Sequence, residues 1–374
     1  MIDATESPLT TTASTLPSIT IKGKRITVPI VQGGMGVGVS MAPLASAVAR
    51  EGGLGLISSA CLDRLVSKRT GRKMNTYEAT REEIELAKDK GGFAGINIMV
   101  ALQRDYVDSV KGAIDAGADA IISGAGLPLN LPDIHPPKDT ALIPIVSSAR
   151  ALALICKKWD RFKYRPDAVV LEGPLAGGHI GFKMEQVDLE SNKLENLLPP
   201  VKDMAMKYGD IPVIVAGGIY THEDIQRYLA MGAAGVQMGT RFLATEESSA
   251  TEAYKQAVVA VKQKDIYLAF RPGSPCGLPF RIIYQSPMYQ STLKQLRPPK
   301  CDKGYVLNKD EKGNYMLCPA KINNTDYFCI CNGLLSSAAY NPDKEEPLYT
   351  VGTNAYRIDR VLSVNALMDE LKGV

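Results

Sequence analysis

The sequence predicts an α/β chain folded as a (β/α)8 TIM barrel with a smaller C-terminal cap region. Eight apolar runs of strand length alternate with helical patterns through residues 28–262. Most of these runs are apolar without a break, as parallel strands covered on both faces must be. The last two units each end in a glycine-rich turn, the place where barrels of this kind keep a phosphate site.

The expected strands are residues 28–33, 54–58, 93–99, 120–124, 143–147, 168–172, 211–216 and 235–239. Helical patterns lie between them at 42–51, 77–90, 105–116, 149–159, 194–208 and 221–231, and 250–262 follows the last strand. Alternation repeated to a count of eight argues for closure; a doubly wound open sheet is the alternative. Two places depart from the ideal. Residues 127–138 carry four prolines, which bars a long helix there. Residues 182–193 form a polar insertion after the sixth strand, placed to act as a lid. Beyond Gln263 the rhythm stops: 264–300 holds six prolines, 301–350 reads as loop, and 359–372 reads as a final amphipathic helix. The expected organisation is a mobile leader at 1–16, a ligand-binding barrel at 17–263 and a cap at 264–374.

Composition sets the bounds. The 374 residues are 45% hydrophobic and 22% charged, an ordinary globular balance. A net charge of +3 leaves no nucleic-acid footprint. No run is apolar for long enough to span a bilayer. The N-terminus lacks a basic-then-apolar signal, and seven cysteines without one suggest a reducing cytoplasm and mostly free thiols. The expected partner is a small molecule, with no nucleic acid and no membrane; a homodimer is compatible with these bounds.

The strand ends carry the chemistry. Ala216-Gly217-Gly218-Ile219 follows the seventh strand and Gly239-Thr240-Arg241-Phe242 the eighth. Glycine lets backbone N–H groups approach an anion, and a following helix N-terminus adds a favourable dipole. A phosphate-bearing ligand is expected, flavin mononucleotide (FMN) first, with phosphate contacts from Gly217, Gly218, Gly239 and Thr240. Ala216, Gln237 and Met238 stand beside them. The other ends offer small residues plus one polar group, which suits a flat ring laid across the barrel mouth. Gly33, Gly34, Met35, Asn97, Gly124, Ala125, Ser147 and Gly178 are the expected contacts. The Asn97 amide offers both donor and acceptor to a ring edge. Gln32 is a further candidate. Ser147 and Ser148 divide between cofactor contact and helix N-cap. Met35 and Met99 serve either a ring or the core. Glu172, at the sixth strand end, reads as a hydrogen-bonded support. Arg241 either balances phosphate charge or pairs with Glu246 or Glu247.

His179 is one of three histidines and is flanked by glycines, so its ring can project toward a ligand. It can accept a proton from an acidic carbon or donate one to a developing carbanion. His222 follows Thr221 at a helix start, and His135 sits among prolines; both read as structural. Cys301, Cys318, Cys329 and Cys331 match no standard metal spacing, so no metal is expected. Cys276 is placed to line the site from the cap.

Gln-Gly-Gly-Met, Gly-Ile-Asn-Ile, Ser-Gly-Ala-Gly, Ala-Gly-Gly-His-Ile-Gly, Ala-Gly-Gly-Ile and Met-Gly-Thr-Arg-Phe occur in this order over roughly residues 24–290. Together they resemble the nitronate monooxygenase family, which includes FMN-dependent enoyl-acyl-carrier-protein reductases. The resemblance implies a TIM barrel, noncovalent FMN and a catalytic histidine that maps onto His179. It implies oxidation of an alkyl nitronate with O2 to a carbonyl compound and nitrite. Gly-Gly-His-Ile-Gly also resembles the enoyl reductase branch, many nitronate oxidisers carry Arg after this His, and residues 182–186 depart from both. An NAD(P)H-dependent reductase of enoyl thioesters is therefore the alternative, and a non-catalytic flavin-binding protein the second.

Overall fold

The computed structural model describes residues 16–296, 308–309, 315–316, 318–321, 323, 325–340 and 342–374. The eight apolar runs are parallel strands of a closed barrel: Ile30–Gln32, Leu54–Ser58, Phe93–Met99, Ala120–Gly124, Ala141–Val146, Val169–Glu172, Val213–Ala216 and Gly235–Met238. They are counted below from first to eighth. The eighth closes on the first, with Val236 beside Ile30 and Met238 beside Gln32. Every residue of the second, fourth, seventh and eighth strands is buried, which is why these runs carry no polar alternation.

The helices between them start where side chains can cap them. Asn75 and Glu78 form a capping box for Thr76–Lys88, and Thr221 and Asp224 form one for His222–Ala230. Ser148 accepts from Ala151 N at the start of Ala149–Trp159. Inside the barrel Leu56, Ile122, Ile143, Val170 and Ile214 form one apolar cluster. An unexpected hairpin, Ile19–Ile21 paired with Lys24–Ile26, plugs the N-terminal end of the barrel with Ile19, Ile21 and Ile26. Lys24 Nζ holds Asp119, just before the fourth strand, at 2.7 Å. The opposite, C-terminal mouth is the face left for function.

Several expectations need correction. Residues 1–15 of the leader lie outside the described residues, but Leu16, its last residue, is buried in the main core. The stretch expected as loop at 301–350 contains the helix Ile330–Ser337, with Ile330, Leu334 and Leu335 buried. Seven of its eight residues are buried, Asn332, Ser336 and Ser337 among them, so its polar positions do not mark a solvent face. The final helix begins at Val364, not 359, because Ser363 caps it by accepting from Ala366 N. A helix at Leu62–Thr70 is extra; its buried residues are Leu62 and Val66. Residues 127–138 hold a single short helix, Leu131–Ile134, and the insertion at 182–193 holds two 3-10 turns, Met184–Gln186 and Glu190–Asn192.

Beyond the barrel, strands Ile266–Ala269 and Phe280–Ile283 pair antiparallel, and the second of them pairs with Gly178–His179. The final helix Val364–Lys372 packs against Ala42–Arg50 and His222–Ala230 on the outside of the barrel.

One position shows how tightly the layers pack. A Cβ on Gly55 in the second strand would lie 1.9 Å from the Ala45 carbonyl oxygen of the neighbouring helix. Backbone cannot yield there without moving the whole helix, so the cost exceeds the usual ~1–3 kcal/mol of overpacking. Gly55→Ala is expected to lower Tm by on the order of 10 °C. A change of a degree or two in a calorimetric scan would show that helix and strand are not so closely apposed.

Candidate active site

A cavity of about 520 Å³ opens at the C-terminal mouth, within the ~300–1,000 Å³ typical of small-molecule sites. Its wall includes His179 and Gly33, Gly34, Met35, Asn97, Gly124, Ala125, Ser147, Gly178, Ala216, Gly217, Gly218, Gln237, Met238, Gly239 and Thr240. Every strand end contributes, because parallel strands deliver all their C-terminal loops to one face.

His179 sits on the two-residue strand Gly178–His179, fixed by pairing with Phe280 and Arg281. Its ring meets Phe280 edge to face at a centroid distance of 4.6 Å. Nε2 lies 2.8 Å from Ser274 Oγ. Removal from water pushes the imidazole pKa down to about 4, so His179 is neutral at ordinary pH. Arg281 Nη1 donates to the carbonyls of Pro174, at 2.8 Å, and Ala176, bracing the loop that presents His179.

The loops after the last two strands are braced by a segment that sequence reasoning missed. Gly352 N donates to Thr240 Oγ1 at 2.8 Å, Asn354 Nδ2 donates to the Gly218 carbonyl, and Thr353 N donates to the Leu175 carbonyl at 3.1 Å. Residues 350–355 thus strap the loops after the sixth, seventh and eighth strands. The run Gly352-Thr353-Asn354 has turn composition, but nothing local says where the turn docks.

Other candidates separate by position. Gln32 is buried behind the wall: its Nε2 donates to Ser40 Oγ at 2.8 Å and its Oε1 accepts from Leu56 N at 3.0 Å. Ser147 lines the cavity while Ser148 caps the next helix. Met99 and Cys276 line the cavity too. Arg241 pairs with Glu370 at 2.5 Å, neither Glu246 nor Glu247 being its partner. The final helix carries Glu370 back to the barrel rim, a contact between residues 129 positions apart that reading of sequence neighbours does not reveal. His222 Nδ1 lies 2.9 Å from the Leu371 carbonyl, and His135 pairs with Asp115 at 3.0 Å; both are away from the cavity. Cys301 lies outside the described residues. Cys318, Cys329 and Cys331 line the cavity, and no metal-binding cluster occurs among the described residues.

Two buried polar atoms in the wall lack a hydrogen-bond partner: Gln237 Oε1, an acceptor, and Arg241 Nε, a donor. Such atoms carry a desolvation cost until a ligand satisfies them. An acceptor at a strand end and a cationic donor beside the glycine loops fit a ligand with a ring N–H and a phosphoryl group. The residues present therefore fit FMN.

Glu172 lines the same cavity, and burial pushes its carboxyl up to about 7 from an ordinary 4.5. Below pH 4.5 it is neutral in both folded and unfolded chains. Between 4.5 and 7 the unfolded chain releases the proton and the fold retains it, so stability falls as pH rises. Above 7 the full cost remains. In flavin-free protein Glu172→Gln is expected to raise Tm at pH 8 and leave it unchanged at pH 4. The same Tm change at both pH values would mean that Glu172 is not held neutral by burial.

The sequence model described as nitronate monooxygenase matches residues 18–373. A probable nitronate monooxygenase of Bacillus subtilis (strain 168) is 26% identical over 264 residues, 65% of this chain and 73% of that protein. The (3aS,4S,5R,7aS)-5-hydroxy-7a-methyl-1-oxo-octahydro-1H-indene-4-carboxyl-CoA dehydrogenase of Mycobacterium tuberculosis is 29% identical over 256 residues, 68% of this chain. This second match spans 62% of the relative's own length, less than two thirds of it. Among solved structures, FabK from Thermotoga maritima aligns with a TM-score of 0.66 at 25% identity, covering 92% of both chains. Nitroalkane oxidase from Streptomyces ansochromogenes shares the fold, with a TM-score of 0.65 at 22% identity over 93% of this chain and 95% of that one.

Proposed function

The chain belongs to the nitronate monooxygenase family, and on that premise we propose that it is an FMN-dependent oxidoreductase that oxidises alkyl nitronates with O2 to a carbonyl compound and nitrite. The observation that carries this reading is His179, held neutral against Ser274 in the wall of a cavity that also contains the two glycine loops.

The main-chain N–H groups of Gly217, Gly218, Gly239 and Thr240, with Arg241 Nε, would hold the phosphoryl group. Gln237, Asn97 and Ser147 would hold the ring edge. When bound, the flavin supplies the redox centre that takes electrons from the substrate and passes them to O2. The chain itself supplies orientation and electrostatics. A side chain whose conjugate acid has a pKa near 4 is a weak base. It is ill suited to strip a proton from a neutral nitroalkane and better suited to receive an anion already formed. The hydrogen bond between His179 Nε2 and Ser274 Oγ takes one of the two protons that neutral imidazole and the hydroxyl hold between them, so the pair fixes the ring and leaves one donor for an anionic nitro oxygen: Nδ1–H where Ser274 donates, the hydroxyl where Nε2–H donates. The apolar wall at Phe280 excludes water and strengthens those hydrogen bonds. We place the protein in the cytoplasm, where the Cys276 thiol in the site wall stays reduced.

A second reading draws on the likeness to FabK from Thermotoga maritima and on Ile180-Gly181 after His179: an NAD(P)H-dependent reductase of enoyl thioesters. Flavin-loaded protein, mixed anaerobically with a nitronate or with NADH and NADPH, tests both. Bleaching of the flavin bands by the nitronate alone is the expected result. Rapid bleaching by a nicotinamide and none by the nitronate moves the assignment to the reductase. A flavin that responds to neither leaves a binding protein.

A further inference from the structure

The cavity has two chemically different poles. Strand order runs seventh, eighth, first, second, third, fourth, fifth, sixth around the closed barrel. The third and fourth strands therefore stand across the mouth from the seventh and eighth. The seventh–eighth side offers amides and glycines: Gly217, Gly218, Gly239 and Thr240, with Asn354 from the strap. The opposite side, apart from the Asn97 amide, offers hydrocarbon. Met99 ends the third strand and Leu102 follows it, Leu127 follows the fourth, and Ile330 and Leu334 come down from the helix Ile330–Ser337.

Three further facts distinguish this pole from ordinary core. Among the described lining residues, formal charges belong to Glu172 and Arg241, which end the sixth and follow the eighth strand. Neither stands at the third–fourth side. Leu102, Ile330 and Leu334 belong to one packed cluster with Phe280, so the pole is backed by rigid apolar structure rather than water. Leu127 nevertheless keeps 36% of its surface exposed while lining the cavity, which leaves a large apolar side chain without protein cover. A leucine exposed in a concave apolar wall is what a ligand would cover.

We propose that this pole is an apolar arm that receives the hydrocarbon body of the substrate, so that the chain acts on medium-chain alkyl nitronates in preference to the smallest ones. The proposal rests on the nitronate reading for the head group, which His179 and Ser274 receive, and adds the requirement for the tail. The helix Ile330–Ser337, which lies outside the barrel in sequence, is then a specificity element: it lays Ile330 and Leu334 over the arm, with Cys331 also facing the cavity.

The test is a homologous series of nitronates, made from nitroethane to 1-nitrooctane, with kcat/KM measured for each on flavin-loaded protein. Transfer of each methylene into an apolar site is expected to raise kcat/KM about three- to fourfold until the arm is full. Leu127→Asn, at a partly exposed position, and Leu334→Asn, at a buried one, are both expected to flatten this dependence; Leu127→Asn serves where Leu334→Asn fails to fold. Turnover that is independent of chain length overturns the arm and leaves the nitronate assignment standing. Should no nitronate of any length react, the head-group reading fails, and the arm is read separately from calorimetric binding of unreactive 1-alkanols, ethanol to octanol, to the same protein. Affinity that rises with length and falls in Leu127→Asn supports the arm; affinity without length dependence overturns it.

Discussion

His179→Ala is expected to lower kcat/KM for a nitronate by about 10²–10³ while FMN stays bound, the usual range for loss of a preorganised group that stabilises an anion. The expectation rests on placement. His179 is one of the wall residues with a titratable nitrogen, it is oriented from one side by Ser274 and from another by Phe280, and its backbone is fixed in a strand pair. The substitution leaves the glycine loops after the seventh and eighth strands untouched, so the absorbance of bound flavin should persist. Ser274→Ala should produce a smaller loss, because it removes the orienting partner and leaves the imidazole. The pH profile separates the two roles of the ring. With its pKa near 4, His179 gives a plateau in kcat/KM that extends down through pH 6 to about 5. A profile that breaks near 6.5 would show an imidazole still open to water. Turnover of His179→Ala within threefold of the parent would remove the residue from the reaction.

Gly217→Ala is expected to yield a folded protein that no longer retains FMN. Gly217 holds φ at +102°, a region that L residues rarely occupy, and a Cβ there would sit 2.9 Å from the Gly173 carbonyl oxygen. That carbonyl cannot step aside cheaply, since Gly173 N is bonded to the Ala216 carbonyl at 2.9 Å. The turn must therefore rearrange, and its amides lose their aim at the phosphoryl position. A strain of this kind costs ~1–3 kcal/mol, and lost phosphate hydrogen bonds add to it. Together they correspond to a rise in Kd for FMN on the order of 10²–10³. Circular dichroism and Tm report whether the barrel survives, and quenching of flavin fluorescence reports binding. A variant that holds FMN as the parent does would place the phosphate elsewhere.

What was legible in the chain, and what was not, follows from the range of the forces involved. The barrel strands were readable because burial on both faces removes polar residues from a run, as at Leu54–Ser58 and Ala120–Gly124. The helix starts at Ser148 and Thr221 were readable because capping is local. The strand ends gather at one mouth as a consequence of parallel topology, so residues as far apart as Gly33 and Thr240 could be placed on one wall without any contact being known. The missed pairings are all nonlocal. Arg241 finds Glu370, the strap at 350–355 finds three loops, and Ser274 finds His179 across 95 residues. None of these pairings leaves a periodic or spacing signal. The helix Ile330–Ser337 was hidden for a different reason: it is only eight residues long, and its polar residues Asn332, Ser336 and Ser337 are buried along with the apolar ones, so no solvent face marks it.

The central claim is that the turns at Gly217-Gly218 and Gly239-Thr240 grip the phosphoryl end of a flavin. Equilibrium titration of flavin-free protein with FMN and, in parallel, with riboflavin addresses it directly, since the two ligands differ by that phosphoryl group alone. The account predicts stoichiometric binding of FMN, tighter than riboflavin by at least ~10², the contribution of two or more charge-assisted hydrogen bonds. Equal affinity for the two, or no uptake of FMN at all, would contradict it.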